Sequence, residues 1–393
     1  MLTEATGTTA TDVALYDAPS GGQSVCVFIK RTYDMVNAAR MHRSARGEIP
    51  LFAEPVEEDD DGREPVPCLT HECDLAPRKP CTDIVVHGRV RSPGALPVAS
   101  MTAGVRVGAL TKHITVVGDR RVAWRPGARI AFERPEPFVE IPLSWRRAYG
   151  GIDGSLEVPE PTNIGELLSA LTPEEHPGAY PRNPAGRAWI VNPDERSLAG
   201  CLLPNFEDPD YPLSPDRMIF WERERWWSAP IPAGFGWVGQ GWFPRAPMLG
   251  IGPELPEQLR SGWLTDPPEL DDGPDPRFFS GASRGMRAVG LRGDELVELH
   301  GFHHEGPLTT ALPSERPDVL VAFDRQPLET AIRLHTIELF ADYGAASLLW
   351  VAEARPPQQL PRRLPLNNFD GYDPLEGIDV IVDGVALSRD QPQ

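Results

Sequence analysis

The residues best suited to chemistry are thiols and imidazoles. Cys68, His71 and Cys73 are close together, and Cys81 follows. Thiolate and imidazole are the ligands of a tetrahedral zinc. The spacing C-x2-H-x-C-x7-C matches no standard finger or ribbon, however, so buried or incidental cysteines are the expectation. A second group, His300, His303, His304 and Glu305, sits between glycines. It does not place two histidines at i and i+4 on a helix, and it reads as a loop cluster. A serine nucleophile usually announces itself as G-x-S-x-G on a strand-to-helix turn, which Ser280-Gly281-Ala282-Ser283 does not satisfy. A phosphate loop and a dinucleotide fingerprint are both missing. Of the 57 Asp and Glu residues none is marked out as half of a glycosidase pair. The acidic run over 54–67 lacks the alternation and central Gly of a calcium loop, and reads as solvated. No catalytic residue, metal or cofactor is assigned, and the chain is read as a non-enzyme.

The elements that would carry these groups are strands. Val25-Cys26-Val27-Phe28-Ile29 is apolar throughout, which suits a strand buried on both faces. Ile84-Val85-Val86 and Val105-Arg106-Val107 are β-branched, and Lys112 to Val117 alternates with a period of two. Gly108-Ala109 between the last two can form a type II′ hairpin turn, because Gly accepts the positive φ at its first position. Together these predict an antiparallel meander. Further strands are expected at 137–143, 286–291, 296–299, 319–323, 331–340 and 347–352. The last apolar run, Ile378 to Val382, is expected to return as an edge strand. Asn163 and Glu166 form a capping box for a short helix to Leu171, one of very few helix signals.

Proline (44 residues) and glycine (36) make up about a fifth of the chain, while 40% of residues are hydrophobic. That balance gives many turns around a real core, not disorder. The predicted class is mainly β: antiparallel sheets, sandwich-like, with long Pro/Gly/Trp-rich loops and few short helices. Five regions are expected. Residues 1–20 form a flexible lead-in, 21–160 an N-terminal β region with the meander, and 161–280 a loop-rich segment. Residues 281–355 form a C-terminal β region, and 356–393 a Pro-rich tail. The formal charge of −19 repels phosphate backbones and anionic lipid, so nucleic acid is excluded as a partner. No secretory signal and no apolar stretch of membrane-spanning length is seen, and five cysteines do not suggest a disulfide framework. A cytoplasmic protein without membrane insertion is expected.

Several ordered motifs resemble one family. They are Lys30-Arg31-Thr32-Tyr33-Asp34; Glu72 to Gly88 (ECDLAPRKPCTDIVVHG); Val117-Gly118-Asp119-Arg120; Pro142 to Gly151 (PLSWRRAYGG); Asn183-Pro184-Ala185-Gly186-Arg187; Leu203-Pro204-Asn205-Phe206-Glu207; Gly234-Phe235-Gly236-Trp237; and Leu334 to Leu339 (LHTIEL). In this order they resemble the family called domain of unknown function 2169, over roughly residues 20 to 355. Tyr149 stands where that pattern has Phe, and Cys73 and Cys81 fall where it requires no cysteine. The resemblance implies an accessory protein of bacterial type VI secretion, an adaptor or chaperone that helps load a secreted effector onto a PAAR-like spike-tip protein. Within the motifs Asp74, Lys79, Asp83, Arg146, Arg147, Gly150 and Gly151 are expected to be structural. Partner contact is expected at rings on loops, namely Trp221, Trp226, Trp227, Phe235, Trp237 and Trp242. Two other readings remain open: a carbohydrate-binding or carbohydrate-active β protein, and a structural component of the secreted spike.

Overall fold

Gln23–Asp34 is buried along its whole length except at its two ends. The computed structural model describes residues 10–17, 23–36, 38–58, 66–76, 79–124, 130–153, 178–191, 193, 197–219, 223–249, 276–356 and 378–387. The principal strands in chain order are β1 (Ala10–Asp17), β2 (Gln23–Asp34), β3 (Thr82–His87), β4 (Ser100–Val107), β5 (Leu110–Val117) and β6 (Leu296–His300). They continue as β7 (Leu308–Ala311), β8 (Val319–Phe323), β9 (Thr330–Phe340), β10 (Ala345–Ala354) and β11 (Ile378–Val382). The protein is mainly β with antiparallel sheets, as its sequence predicts. Its described helices are short, such as Pro215–Ile219 and the 3-10 turn Trp145–Arg147.

The largest sheet has seven strands. β1, β2, β10, β9 and β3 lie side by side in that order, continued by Arg287–Ala288, while His42–Arg43 adds to β2. Every pairing in it is antiparallel except β9 with β3, which is parallel. A five-stranded antiparallel sheet runs Phe206–Glu207, β5, β4, β6, β7. A smaller sheet of four holds β8 and β11 at its centre, between Gln326–Pro327 and Val385–Ala386. Side chains alternate across each strand, so Val25, Val27 and Ile29 of β2 face the principal core. Cys26 and Phe28 face a smaller cluster with Leu349 and Val351 on the other side. The principal core joins β2, β3 and β9 to Val105, Ile114, Val116 and Val297 of the five-stranded sheet, a sandwich-like packing of two layers. Each fully buried Val or Ile there contributes about 1.5–3 kcal/mol. The cysteines are all free thiols.

Several expectations change. Gly108 does take a positive φ of 58° and closes a two-residue hairpin from Val107 to Leu110. The first strand of the expected meander, however, leaves: β3 joins the seven-stranded sheet beside β9, and β6 takes the vacant side of β4. The N-terminal and C-terminal β regions are therefore not separate halves, since both large sheets draw strands from each. Part of the expected lead-in is ordered, for Ala10–Asp17 pairs along its length with β2. β11 returns as expected but is flanked on both sides and is not an edge. The expected helix over 163–171 lies outside the described residues.

Candidate functional site

The distant motifs meet inside the seven-stranded sheet. Glu338 of β9 sits 2% exposed, in a strand that is otherwise apolar on that stretch. His71 Nδ1 and His87 Nε2 lie 3.2 and 3.0 Å from its Oε1, and the Trp237 indole N–H donates to the same oxygen from 3.3 Å. Its other oxygen accepts from Ser347 and pairs with the Lys30 ammonium at 3.4 Å. Lys30, 1% exposed, also binds Asp74 at 2.8 Å and stands over the Phe52 ring. Asp74 accepts in turn from the Phe52 amide. The rings are clamped: His71 stacks on Phe52 and His87 on Phe340.

Burial alone would push the Glu338 carboxyl up. Lys30 and the two imidazole donors outweigh it, and hold the group well below the ordinary carboxylate range. Burial raises Asp74, only partly offset by Lys30. Burial pulls Lys30 down, but Glu338 and Asp74 carry it above its usual value. An ionised Glu338 only accepts, so each imidazole carries its proton on the nitrogen that faces it. His71, His87 and Glu338 are the one set among the described residues with metal-ligand proximity, their ligand atoms within 4.8 Å of one another. The ammonium of Lys30 already supplies the positive charge there, and Trp237 and Ser347 point donors at the carboxylate. That chemistry fits an internal ion pair rather than a divalent cation.

Two further buried pairs adjoin it. Lys79 binds Asp83 at 2.9 Å and Thr336 at 3.1 Å, with its ammonium over the Trp237 ring. Asp83 also accepts from the Gly281 amide. Glu72 pairs with Arg245, which donates to the carbonyls of Val238 and Phe278. A third cluster, half-buried around the buried Asn205, joins Asp119, Arg147 and Arg187 to it. Asn205 donates to Asp119 at 2.9 Å and accepts from Arg147 and Arg187. Burial raises Asp119, yet Asn205 and Arg187 leave it lowered, and burial brings Arg187 down to about 10. Arg146 points elsewhere, to Glu58 at 3.0 Å. Gly150 and Gly151 take φ of 145° and 112°. A Cβ on Gly150 would meet the Asn183 carbonyl oxygen at 2.0 Å, which only glycine avoids.

The rings expected to contact a partner are interior. Phe235 (1% exposed), Trp237 (2%), Trp242 (3%) and Trp226 (5%) are core residues, and Trp227 is half-buried. Trp221 lies outside the described residues. Their area explains the correction: rings this large on loops without regular backbone fill the interior that strands would otherwise fill. Trp226 anchors a second core with Tyr149, Tyr180, Trp189 and Phe243. Gly234 and Gly236 let the chain approach the Trp145 indole, whose N–H donates to Trp237 O at 2.6 Å. The cysteine group does not converge: Cys73 faces the Ala53 carbonyl, Cys81 faces Ser280, and His71 turns to Glu338. His304 instead bonds the Ser92 carbonyl. Sequence reasoning did not single out Glu338, Lys30, Glu72 or Arg245. The available signal was a charge within an apolar strand at Lys30 and Glu338.

Fold and interior together define a class: a mainly β protein whose packed sheets are tied by buried charge pairs from widely separated motifs. The chain belongs to the family described as uncharacterized protein conserved in bacteria (DUF2169), whose model matches residues 20–351. Neither a curated protein nor a solved structure matches it. Among the described residues no helix is long and apolar enough to cross a membrane.

Proposed function

We propose that the protein is a non-enzymatic adaptor or chaperone of the bacterial cytoplasm that holds a type VI secretion effector and helps load it onto a PAAR-like spike tip. The secretion setting rests on the motif resemblance. The chemistry of holding a polypeptide rests on one observation: the start of β9 borders a groove of about 650 Å³ lined by both apolar and basic residues. The buried acids of the motifs are each held by cations or donors, which suits a framework. The rival sugar-binding reading needs exposed tryptophan rings, and the described ones it would use at 226–242 are buried or half-buried.

The test is purification of the tagged full-length protein from its native host. Recovery of an effector together with a PAAR-like protein is expected. Recovery of neither, with retention on a glycan array, would replace this reading by the carbohydrate one. Release of the chain into the medium on firing would make it part of the spike.

A further inference from the structure

β9 is covered on both sides only along part of its length. On one side β10 pairs with it from Thr330 to Phe340. On the other side β3 pairs only with Thr336 to Phe340. The reason lies in the sequence before β3: Pro80 has no N–H to give a ladder, and strand pairing begins at Thr82. Thr330–Leu334 is thus left as an open edge among the described residues. Strand geometry says which groups point outward, because N–H and C=O of alternate residues face the same side. The Leu334 carbonyl accepts from the Thr82 hydroxyl at 2.7 Å, and the Ile332 carbonyl takes a long 3.4 Å contact from Arg316. Thr330, Ile332 and Leu334 therefore turn their amides to the open side of β9, where Ile332 and Leu334 line the groove.

The groove has a definite chemistry. Leu291, Ile332 and Leu334 line it, and Val289 on its rim is 84% exposed. Arg292, Arg316 and Arg333, all exposed, line it too, and none has an ion-pair partner among the described residues. In a chain of net charge −19 this is a local reversal of sign. Glu353 is the one carboxylate in the lining, and it is engaged by the Ser24 hydroxyl. Two buried polar side chains also line the groove without hydrogen-bond partners among the described residues: the imidazole of His335 and the indole N–H of Trp350.

We propose that Thr330–Leu334 is a strand-addition site, at which an extended acidic segment of a partner polypeptide pairs with the open edge of β9 and sets its carboxylates against Arg292, Arg316 and Arg333. The inference deepens the adaptor reading by naming the surface and the partner chemistry. Backbone pairing supplies the hold, and the arginines supply selection by charge. The five-residue edge spans about 17 Å, enough for one short strand.

The probe is a short fluorescein-labelled peptide of alternating valine and aspartate, titrated into the full-length protein by anisotropy. It is compared with a valine–lysine counterpart and with a version N-methylated at alternate residues. The acidic peptide should bind at least about tenfold more tightly than either control. Arg316→Glu with Arg333→Glu, both exposed positions, should erase that preference. Equal binding of acidic and basic peptides, or of the methylated form, would overturn the proposal. So would protection of the Ile332 and Leu334 amides from hydrogen exchange before any peptide is added, which would mean that the chain itself or a second copy covers the edge. An Arg316→Glu, Arg333→Glu protein that still captures its effector from the host would refute this surface and leave the adaptor reading standing. Selective peptide binding with no effector captured would do the reverse.

Discussion

The two ends of one strand teach opposite lessons about charge. At the Glu338 end, β9 is paired on both sides, and a buried carboxylate and ammonium and two half-buried imidazoles meet with the carboxylate's hydrogen bonds satisfied. At the Thr330 end the strand has one neighbour among the described residues, and three arginines line a groove whose one carboxylate, Glu353, is engaged by Ser24. Charge at the first end organises the interior. At the second it is left for something else to answer. A sequence motif that spans both, Leu334 to Leu339, gives no hint of this division by itself.

Substitutions should separate the two ends. Glu338→Ala leaves Lys30 buried with only Asp74 opposite it, and both imidazole donors lose their acceptor. Removing one member of a buried pair costs about 3–5 kcal/mol, so the urea midpoint should fall sharply, and a loss under about 1 kcal/mol would show that the network is not holding the sheet. Gly150→Ala comes next, at about 1–3 kcal/mol by the same assay, because of its backbone conformation and the Asn183 carbonyl.

The pH response is smaller. His335 is 5% exposed, and burial, with Lys79 and Arg333 near, holds its proton affinity well below the usual imidazole range. Its folded pKa is depressed, so the unfolded chain binds the extra proton first. Stability should be full above about pH 6.5 and decline as the pH falls, by up to about 1.4 kcal/mol per unit. His303, lowered by burial, adds a slope of the same sign. Replacing His335 by Phe should flatten most of the decline between about pH 6.5 and 5; an unchanged slope would mean that the ring is already protonated in the folded state. The depressed Glu338 contributes its own loss only at lower pH, below the ordinary carboxylate range. Smallest of all, Arg333→Glu at the open end should change stability by no more than about 0.5 kcal/mol.

Much of the architecture was legible in the sequence. The apolar run from Val25, the alternation after Lys112 and the glycine turn at Gly108 each describe a local fact, and each holds. What local pattern could not supply was partnership. Ile84-Val85-Val86 looks like a neighbour of Val105 because it is close in sequence, yet its parallel pairing is with a strand about 250 residues later. The glycine and tryptophan stretch was misjudged for a related reason. Composition says that rings sit on loops, but not whether the loops lie over a core, and here they build one. Of the site, Asp74, Lys79 and Asp83 were legible as members of ordered motifs, whereas Lys79's place over Trp237 and the pairing of Glu72 with Arg245 depend on contacts across more than 150 residues. The open edge at Thr330 follows from the Pro80 that precedes β3, and becomes visible only once β3 is known to lie beside β9.

Hydrogen exchange along β9 tests the central claim most directly. In the free full-length protein, the outward amides at Thr330, Ile332 and Leu334 should exchange fast while those of Thr336 to Phe340 exchange slowly, and the acidic peptide should slow only the first group. Uniform slow exchange along the strand before the peptide is added, or no response to it afterwards, would contradict the account.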